Sequence, residues 1–233
     1  MSTALAAPKV AEDERCLVLD AIAWWQYEAI SDAFPGRSPL RITFLDGRLT
    51  LLSPRRRHDW NELYLDRLVE AVALGFGMEL EPSGHSTYRR EDVQGGVEGD
   101  LTYHFGEHAV LMRGPVEVDL STQPPPDLAV EVELTHPADD SIKVWGRLGV
   151  PEVWHLRVDR ETLTFGVRQE DGTYSPVPRS AAFPELEPAD VLNQLRLASG
   201  LGRSRWVAQL DGWVRAVLLP RRRVGPLLEG EDA

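Results

Sequence analysis

The chain has 233 residues, a formal net charge of −12 and 42% hydrophobic residues, a composition typical of a soluble globular protein. Its length supports one large domain or two small ones. The acidic balance excludes a protein that coats nucleic acid non-specifically, but not an enzyme whose carboxylates bind metal ions. No apolar run could cross a bilayer. Cys16 is the only cysteine, so no internal disulfide forms and we expect a cytoplasmic protein.

The first half of the chain predicts a helix, a hairpin, a long helix and several short strands. Apolar residues recur at helical spacing over 21–34 and over 58–76. Between these helices, alternating residues flank Asp46-Gly47, a strong two-residue hairpin signal. Short strands follow at 78–80, 86–90 and 100–105, and Gly95-Gly96 predicts a turn before the last of them.

The second half predicts an acidic strand at 126–133, a helix from Pro137 to about Gly149, a hairpin and a helical tail. Strands and helices mix without a regular βαβ alternation, which favours an α/β (mixed α+β) fold. We expect one domain over residues 17–218, a flexible tail over 1–16 and a disordered tail over 219–233.

The strand at 126–133 is dense in carboxylates. Alternation sends its apolar residues to one face and its acids to the other, the acids being Asp127, Glu131 and Glu133. Such charges, about 7 Å apart at each two-residue step, repel unless water or a cation lies between them. This pattern is typical of a magnesium site for phosphodiester chemistry. It is also typical of a solvated strand face, which the pattern alone favours.

A metal site needs ligands from at least two strands, because Mg²⁺ requires octahedral oxygen ligands at about 2.1 Å. Asp100 opens a separate strand and could meet Glu131, with the backbone carbonyl of Val132 as a further ligand. Lys143 could stabilise the anionic transition state, although a solvated helix lysine is the alternative. The histidines show no HExxH spacing, so no zinc site is predicted.

Several short motifs occur in a fixed order, at 46–48, 52–54, 58, 86–92, 97–100, 126–135 and 149–154. In this order they resemble the Uma-two family of putative restriction endonucleases, a branch of the PD-(D/E)XK nuclease superfamily. The resemblance runs from about residue 18 to about residue 215. It implies a restriction-endonuclease-like central mixed sheet flanked by helices. It also implies an endonuclease that hydrolyses DNA with Mg²⁺ or Mn²⁺.

The resemblance assigns roles to individual residues. Asp100 matches the family's first catalytic aspartate, although Gly99 stands where proline is usual. Glu131 matches the catalytic glutamate, and Asp127 ranks below these two. Glu133 occupies the place where the simplest superfamily motif has lysine, and it is a candidate for an assisting role.

The family's helix lysine is replaced by Ser141 in this sequence. Lys143, two residues on, lies about 200° around a regular helix but is the best candidate for the third catalytic role. A second hypothesis is therefore a nuclease fold that has lost catalysis and serves as a nucleic-acid-binding or protein-interaction module. A homodimer fits cleavage of a duplex, because that reaction commonly uses two sites.

Overall fold

The computed structural model describes residues 14–34, 40–53, 56–84, 86–114 and 118–222. Within these ranges the strands are β1 (Arg15–Leu19), β2 (Arg41–Leu45), β3 (Arg48–Ser53), β4 (Leu80–Pro82), β5 (Thr87–Arg90), β6 (Gly95–Glu98), β7 (Leu101–Phe105), β8 (Leu128–Glu133), β9 (Glu152–Arg157), β10 (Thr162–Arg168) and β11 (Tyr174–Val177). The helices are α1 (Trp24–Ala33), α2 (Arg56–Phe76), α3 (Gly106–Leu111), α4 (Asp139–Leu148), α5 (Pro188–Leu201), α6 (Arg203–Trp213) and α7 (Leu219–Arg222), with a π-helical turn over Val214–Leu218.

The strands form two sheets. A six-stranded sheet has the order β11-β10-β9-β8-β7-β4, and its β8–β9 pair is parallel while its other pairs are antiparallel. This sheet confirms the predicted mixed sheet and the α/β (mixed α+β) class. A second, five-stranded antiparallel sheet has the order β1-β3-β2-β6-β5. The sequence predicted several of its strands but not their separation into a sheet of their own.

Helices cover both faces of the six-stranded sheet. Leu128, Val130 and Val132 of β8 pack into a core shared with α2, α5 and α6. Ala129, on the other face of β8, packs against α4, which lies between the two sheets. The acidic face of β8 is therefore covered by a helix, and the solvated face that the pattern also allowed is not observed.

Strand β2 shows the same alternation in the five-stranded sheet. Ile42 and Phe44 face α1, where Phe44 stacks on Tyr27 with ring centroids 4.8 Å apart. Arg41 and Thr43 lie on the opposite face, because successive strand residues point to opposite sides. The hydroxyl groups of Thr43 and Ser141 are 3.1 Å apart, so this second face of β2 is directed toward α4.

The predicted turn at Gly95-Gly96 is wrong, since both residues lie in β6. Gly96 is needed there because a Cβ atom at this position would lie 2.0 Å from the Tyr27 hydroxyl oxygen. By contrast, the predicted hairpin turn is present, with Asp46 and Gly47 at φ values of 49° and 84°. Both backbone angles suit a tight turn between twisted strands.

The predicted tails only partly overlap the described residues. Arg15 and Cys16 belong to β1, and the Glu14 carboxylate accepts a hydrogen bond of 2.8 Å from the Thr135 hydroxyl. Residues 1–13 and 223–233 lie outside the described residues, whereas 219–222 form α7. No helix of the described part of the chain has the length and apolar character needed to span a membrane.

Candidate active site

The chain passes from the five-stranded to the six-stranded sheet at Gly99-Asp100, between the end of β6 and the start of β7. The Trp145 ring of α4 lies so close to Gly99 that a Cβ atom there would be 2.5 Å from Trp145 Cζ2. Any side chain, including the proline expected from the family, would meet this ring. Glycine at position 99 therefore lets α4 pack onto the crossing point.

Asp100 is held from three sides in this crossing. The backbone amide of Val132 donates a 2.7 Å hydrogen bond to Asp100 Oδ2. His58 Nε2 of α2 lies 3.3 Å from the same oxygen, and Arg41 Nε lies 3.4 Å from Asp100 Oδ1. The carboxylate is thus fixed against β8 and paired with two potential cations.

Glu131 lies on the face of β8 that α4 covers. The indole N–H of Trp145 donates a 2.6 Å hydrogen bond to Glu131 Oε1. Glu131 is 6% exposed and Asp100 is 4% exposed, so two acids from different strands enter one buried region. Asp100 and Glu131 interact electrostatically in this region, and their joint binding of a metal ion stays a prediction.

A third acid, Glu62, pairs with both His58 and Arg41. His58 Nδ1 lies 3.0 Å from Glu62 Oε1, and an Arg41 terminal nitrogen lies 3.3 Å from the same oxygen. Potential ligand atoms of His58, Glu62 and Asp100 all lie within 4.8 Å of one another. Together with Glu131, we call these residues the buried charge cluster: Arg41, His58, Glu62, Asp100 and Glu131.

The electrostatics of the cluster depend on the pairing between its members. Burial disfavours the imidazolium form, yet the neighbouring Asp100 and Glu62 raise the pKa of His58 to about 11. Burial also works against ionisation of Asp100, but His58, the Val132 amide and Arg41 outweigh it and hold its pKa below the usual value. His58 is therefore an imidazolium and Asp100 a carboxylate at neutral pH.

Glu131 behaves in the opposite way. Burial, followed by the negative charge of Asp100, raises the pKa of Glu131 well above its usual value. The Trp145 hydrogen bond and the charges of His58 and Arg41 only partly offset this rise. The surroundings of Glu131 therefore favour its protonated form in the absence of an added cation.

The cluster fits a divalent metal ion in the type of its donor atoms. Asp100 and Glu131 contribute carboxylate oxygens, the ligands that Mg²⁺ and Mn²⁺ prefer. A divalent ion would also relieve the repulsion between Asp100 and Glu131 that favours the protonated form of Glu131.

The other predicted site residues lie elsewhere. Lys143 is 62% exposed and its ammonium pairs with Asp140 at 3.0 Å, so the structure does not bring it to the acids. Ser141, at the family's lysine position, contacts Thr43 instead. Asp127 accepts hydrogen bonds of 2.8 Å from the Phe105 amide and from His108.

Glu133 is the acid two residues beyond Glu131, and it has local partners of its own. His155 Nε2 lies 2.9 Å from Glu133 Oε2, and Arg157 Nε lies 3.7 Å from Glu133 Oε1. Val132 takes part through its amide, which binds Asp100. A metal bond to the Val132 carbonyl stays a prediction.

The site residues predicted from the sequence did not include three members of the cluster, Arg41, His58 and Glu62. The spacing of His58 and Glu62, four residues apart on a predicted helix, places both on one face and could have indicated a joint site. Arg41 gives no such signal, because its partners Glu62 and Asp100 are distant in the sequence.

This arrangement defines a protein with a mixed-sheet fold and a buried cluster of acidic and basic side chains. The chain belongs to the Uma2 family, described as "Putative restriction endonuclease", whose family model matches residues 24–200. This membership confirms the resemblance drawn from the motifs.

Among solved structures, the chain is similar to one titled as a putative nuclease belonging to DUF820 from Anabaena variabilis ATCC 29413. The two share 12% sequence identity with a TM-score of 0.48, over 66% of this chain and 90% of that one. No curated protein matches the chain.

Proposed function

We propose that this protein is a metal-dependent endonuclease that hydrolyses DNA phosphodiester bonds at the buried charge cluster. The observation that carries the proposal is the entry of Asp100 and Glu131, from different strands, into one buried region. Membership of a nuclease family supports the same reaction class. DNA as substrate and Mg²⁺ or Mn²⁺ as cofactor belong to the proposal.

In this proposal Asp100 and Glu131 hold the ion, with the Val132 carbonyl as a further ligand. A bound Mg²⁺ or Mn²⁺ lowers the pKa of a coordinated water and neutralises charge on the scissile phosphate. The Val132 amide orients Asp100, and the Trp145 indole orients Glu131. These outer contacts fix the ligand side chains before the ion arrives.

A proton on Glu131 competes with metal binding, because a carboxylate ligand must be ionised. Burial and the Asp100 charge both oppose loss of this proton. We therefore expect metal uptake to release a proton and to strengthen as pH rises. Lys143 is the sequence-derived candidate for a third, cationic role, and the cleavage test includes it.

The test is cleavage of supercoiled plasmid with Mg²⁺ or Mn²⁺ by the wild type, Glu131→Gln and Glu131→Ala. The glutamine variant keeps an oxygen for the Trp145 indole and removes the charge, so it serves as the control for folding. We expect both variants to lose cleavage by about 10³-fold or more, as when a central catalytic group is removed. Equal cleavage by wild type and Glu131→Gln, or no cleavage by either, would contradict the proposal.

A second candidate function is a nuclease fold without catalysis that binds nucleic acid or another protein. The hydrogen-bonded contact between Ser141 and Thr43, where the family has lysine, favours it. The near-complete burial of Asp100 and Glu131 favours it as well, since a phosphate must reach both.

The variant Ser141→Lys separates these two candidates. If the wild type is inactive and Ser141→Lys gains metal-dependent cleavage, the native chain lacks only that cation and the second candidate is correct. DNA binding without cleavage by either protein supports a binding module, and absence of both supports a protein-interaction role. Sedimentation velocity of the full chain tests the proposed homodimer, for which a single monomeric species would be the contrary result.

A further inference from the structure

We infer that Arg41 supplies the cation that contacts the DNA phosphate at this site, in place of a lysine from α4. The inference rests on the proposed nuclease function and names a residue that acts in it. Its basis is the position of the guanidinium of Arg41 beside Asp100 and on the face of β2 that is directed toward Ser141.

Arg41 and Thr43 are two residues apart on β2, so their side chains leave the same face of the strand. Thr43 contacts Ser141, which marks this face as the one opposite the α4 position where the family has lysine. A cation from β2 and a cation from α4 therefore approach the acids from facing sides of the same space.

The guanidinium of Arg41 is tied to the acids directly. Its Nε lies 3.4 Å from Asp100 and a terminal nitrogen lies 3.3 Å from Glu62, with the side chain only 9% exposed. Lys143 differs in every respect, since it is 62% exposed and pairs with Asp140. Of these two residues, Arg41 is therefore the one that lies buried against the acids.

Charge balance explains why a buried arginine is retained here. Asp100 and Glu62 are two buried acids, and Arg41 and His58 are two buried cations that pair with them. A buried charge is tolerated only when it is paired. A divalent ion bound to the acids would weaken the electrostatic attraction between them and Arg41. The N–H donors of Arg41 would then be available to a phosphate.

Arginine suits this role in its chemistry. The planar guanidinium has five N–H donors that match two phosphate oxygens at once, and it stays charged at any working pH. It therefore stabilises the developing negative charge of the transition state without exchanging a proton. The activation of water falls to the metal-bound acids, not to Arg41.

The experiment compares Arg41→Gln, Arg41→Lys and the control Arg48→Gln in plasmid cleavage and in Mn²⁺ binding by calorimetry. Arg48 lies in the neighbouring strand β3, pairs with Asp20 and is 54% exposed, so its loss removes an arginine without touching the cluster. We expect Arg41→Gln to lower kcat by about 10²–10³-fold, the usual effect of losing one transition-state donor.

The affinity for Mn²⁺ is the second measurement, and in Arg41→Gln it should not fall together with kcat. Removal of a positive charge beside Asp100 should leave Mn²⁺ binding unchanged or tighter, while general damage to the site would weaken it. Parallel loss of cleavage and metal affinity in Arg41→Gln would overturn the inference. Arg41→Lys keeps the charge and should remain within about tenfold of wild type. A folded Arg41→Lys as inactive as Glu131→Gln would also overturn it.

Rescue completes the test. The double variant Arg41→Gln/Ser141→Lys places a cation at the family's lysine position. We expect its kcat to be at least tenfold higher than that of Arg41→Gln. A wild type that cleaves while Arg41→Gln cleaves equally well overturns the role of Arg41 but leaves the nuclease function intact. A Lys143→Met variant as inactive as Glu131→Gln would assign the role to Lys143 instead. A wild type without any cleavage rejects both proposals.

Discussion

Glu131 and Glu133 stand two residues apart on the same face of β8, yet their surroundings differ. Glu133 reaches His155 and Arg157 at the end of the strand and accepts a 3.3 Å hydrogen bond from the Ala138 amide. Glu131 is enclosed beside another acid, Asp100, and the indole of Trp145 is its direct partner. A carboxyl group that already has an arginine and two hydrogen-bond donors beside it needs no metal ion, whereas one placed beside a second carboxylate needs a proton or a cation.

The largest effect that separates the two acids should be on metal binding. Glu131→Gln removes a proposed ligand, so we expect Mn²⁺ affinity to fall by about 100-fold or more, at or beyond the effect of losing an outer partner. Glu133→Gln should change the affinity by less than about threefold. Isothermal titration calorimetry at pH 8 measures both, and equal losses would place Glu133 in the metal site as well.

The next effect concerns the packing that creates the Glu131 environment. Gly99→Ala drives a Cβ atom into the Trp145 ring, and we expect a loss of about 1–3 kcal/mol in the free energy of unfolding, typical of overpacking. Gly212→Ala is the matched control, because a Cβ atom there meets nothing within 4 Å. In the helix α6, that change should stabilise the protein by about 0.5 kcal/mol. Urea denaturation compares the two, and a neutral Gly99→Ala would contradict the close contact.

The smallest effects are expected in the titration of two histidines, His58 near Asp100 and His155 near Glu133. The pKa of His58 is raised to about 11 by its acids, whereas burial lowers the pKa of His155 despite Glu133. In a proton NMR titration from pH 5 to 9, His58 should stay protonated and His155 should titrate below pH 6.5. A midpoint for His58 inside that range would contradict the paired cluster.

The same two shifts predict stability changes of opposite sign. The folded state binds the His58 proton more tightly than the unfolded state, so its stabilisation is full below about pH 6.5 and is lost as pH rises toward 11. His155 binds its proton less tightly when folded, so its contribution is lost as pH falls below about 6.5. His58→Gln should therefore cost most at mildly acidic pH, below about 6.5, and His155→Gln should reduce the loss of stability in acid.

Local signals in the sequence were sufficient for much of the fold. The Asp46-Gly47 turn, the long helix now seen over Arg56–Phe76 and the alternation of β8 all depend on residues that are close in sequence. Gly95-Gly96 misled the prediction, because the need for glycine at position 96 comes from Tyr27 in a distant helix.

The site was predictable only in part, for the same reason. Asp100 and Glu131 lie in motifs that mark them individually, so their meeting could be foreseen. Arg41 has no local signal and Glu62 has only its helical spacing from His58, so both reach the site through tertiary packing. Lys143 was chosen because it lies two residues from the family's lysine position, but its side chain leaves α4 on the side that faces solvent.

The two-residue crossing at Gly99-Asp100 has a mechanical consequence. Asp100 lies at the junction of the two sheets, between β6 and β7, whereas Glu131 lies within β8 of the six-stranded sheet. A shift of one sheet relative to the other would therefore change the distance between the two acids. Helix α4 lies between the sheets, so its packing sets this distance. The distance between the Asp100 and Glu131 carboxylates thus depends on how the two sheets pack against each other. Substitutions far from either acid can therefore change it.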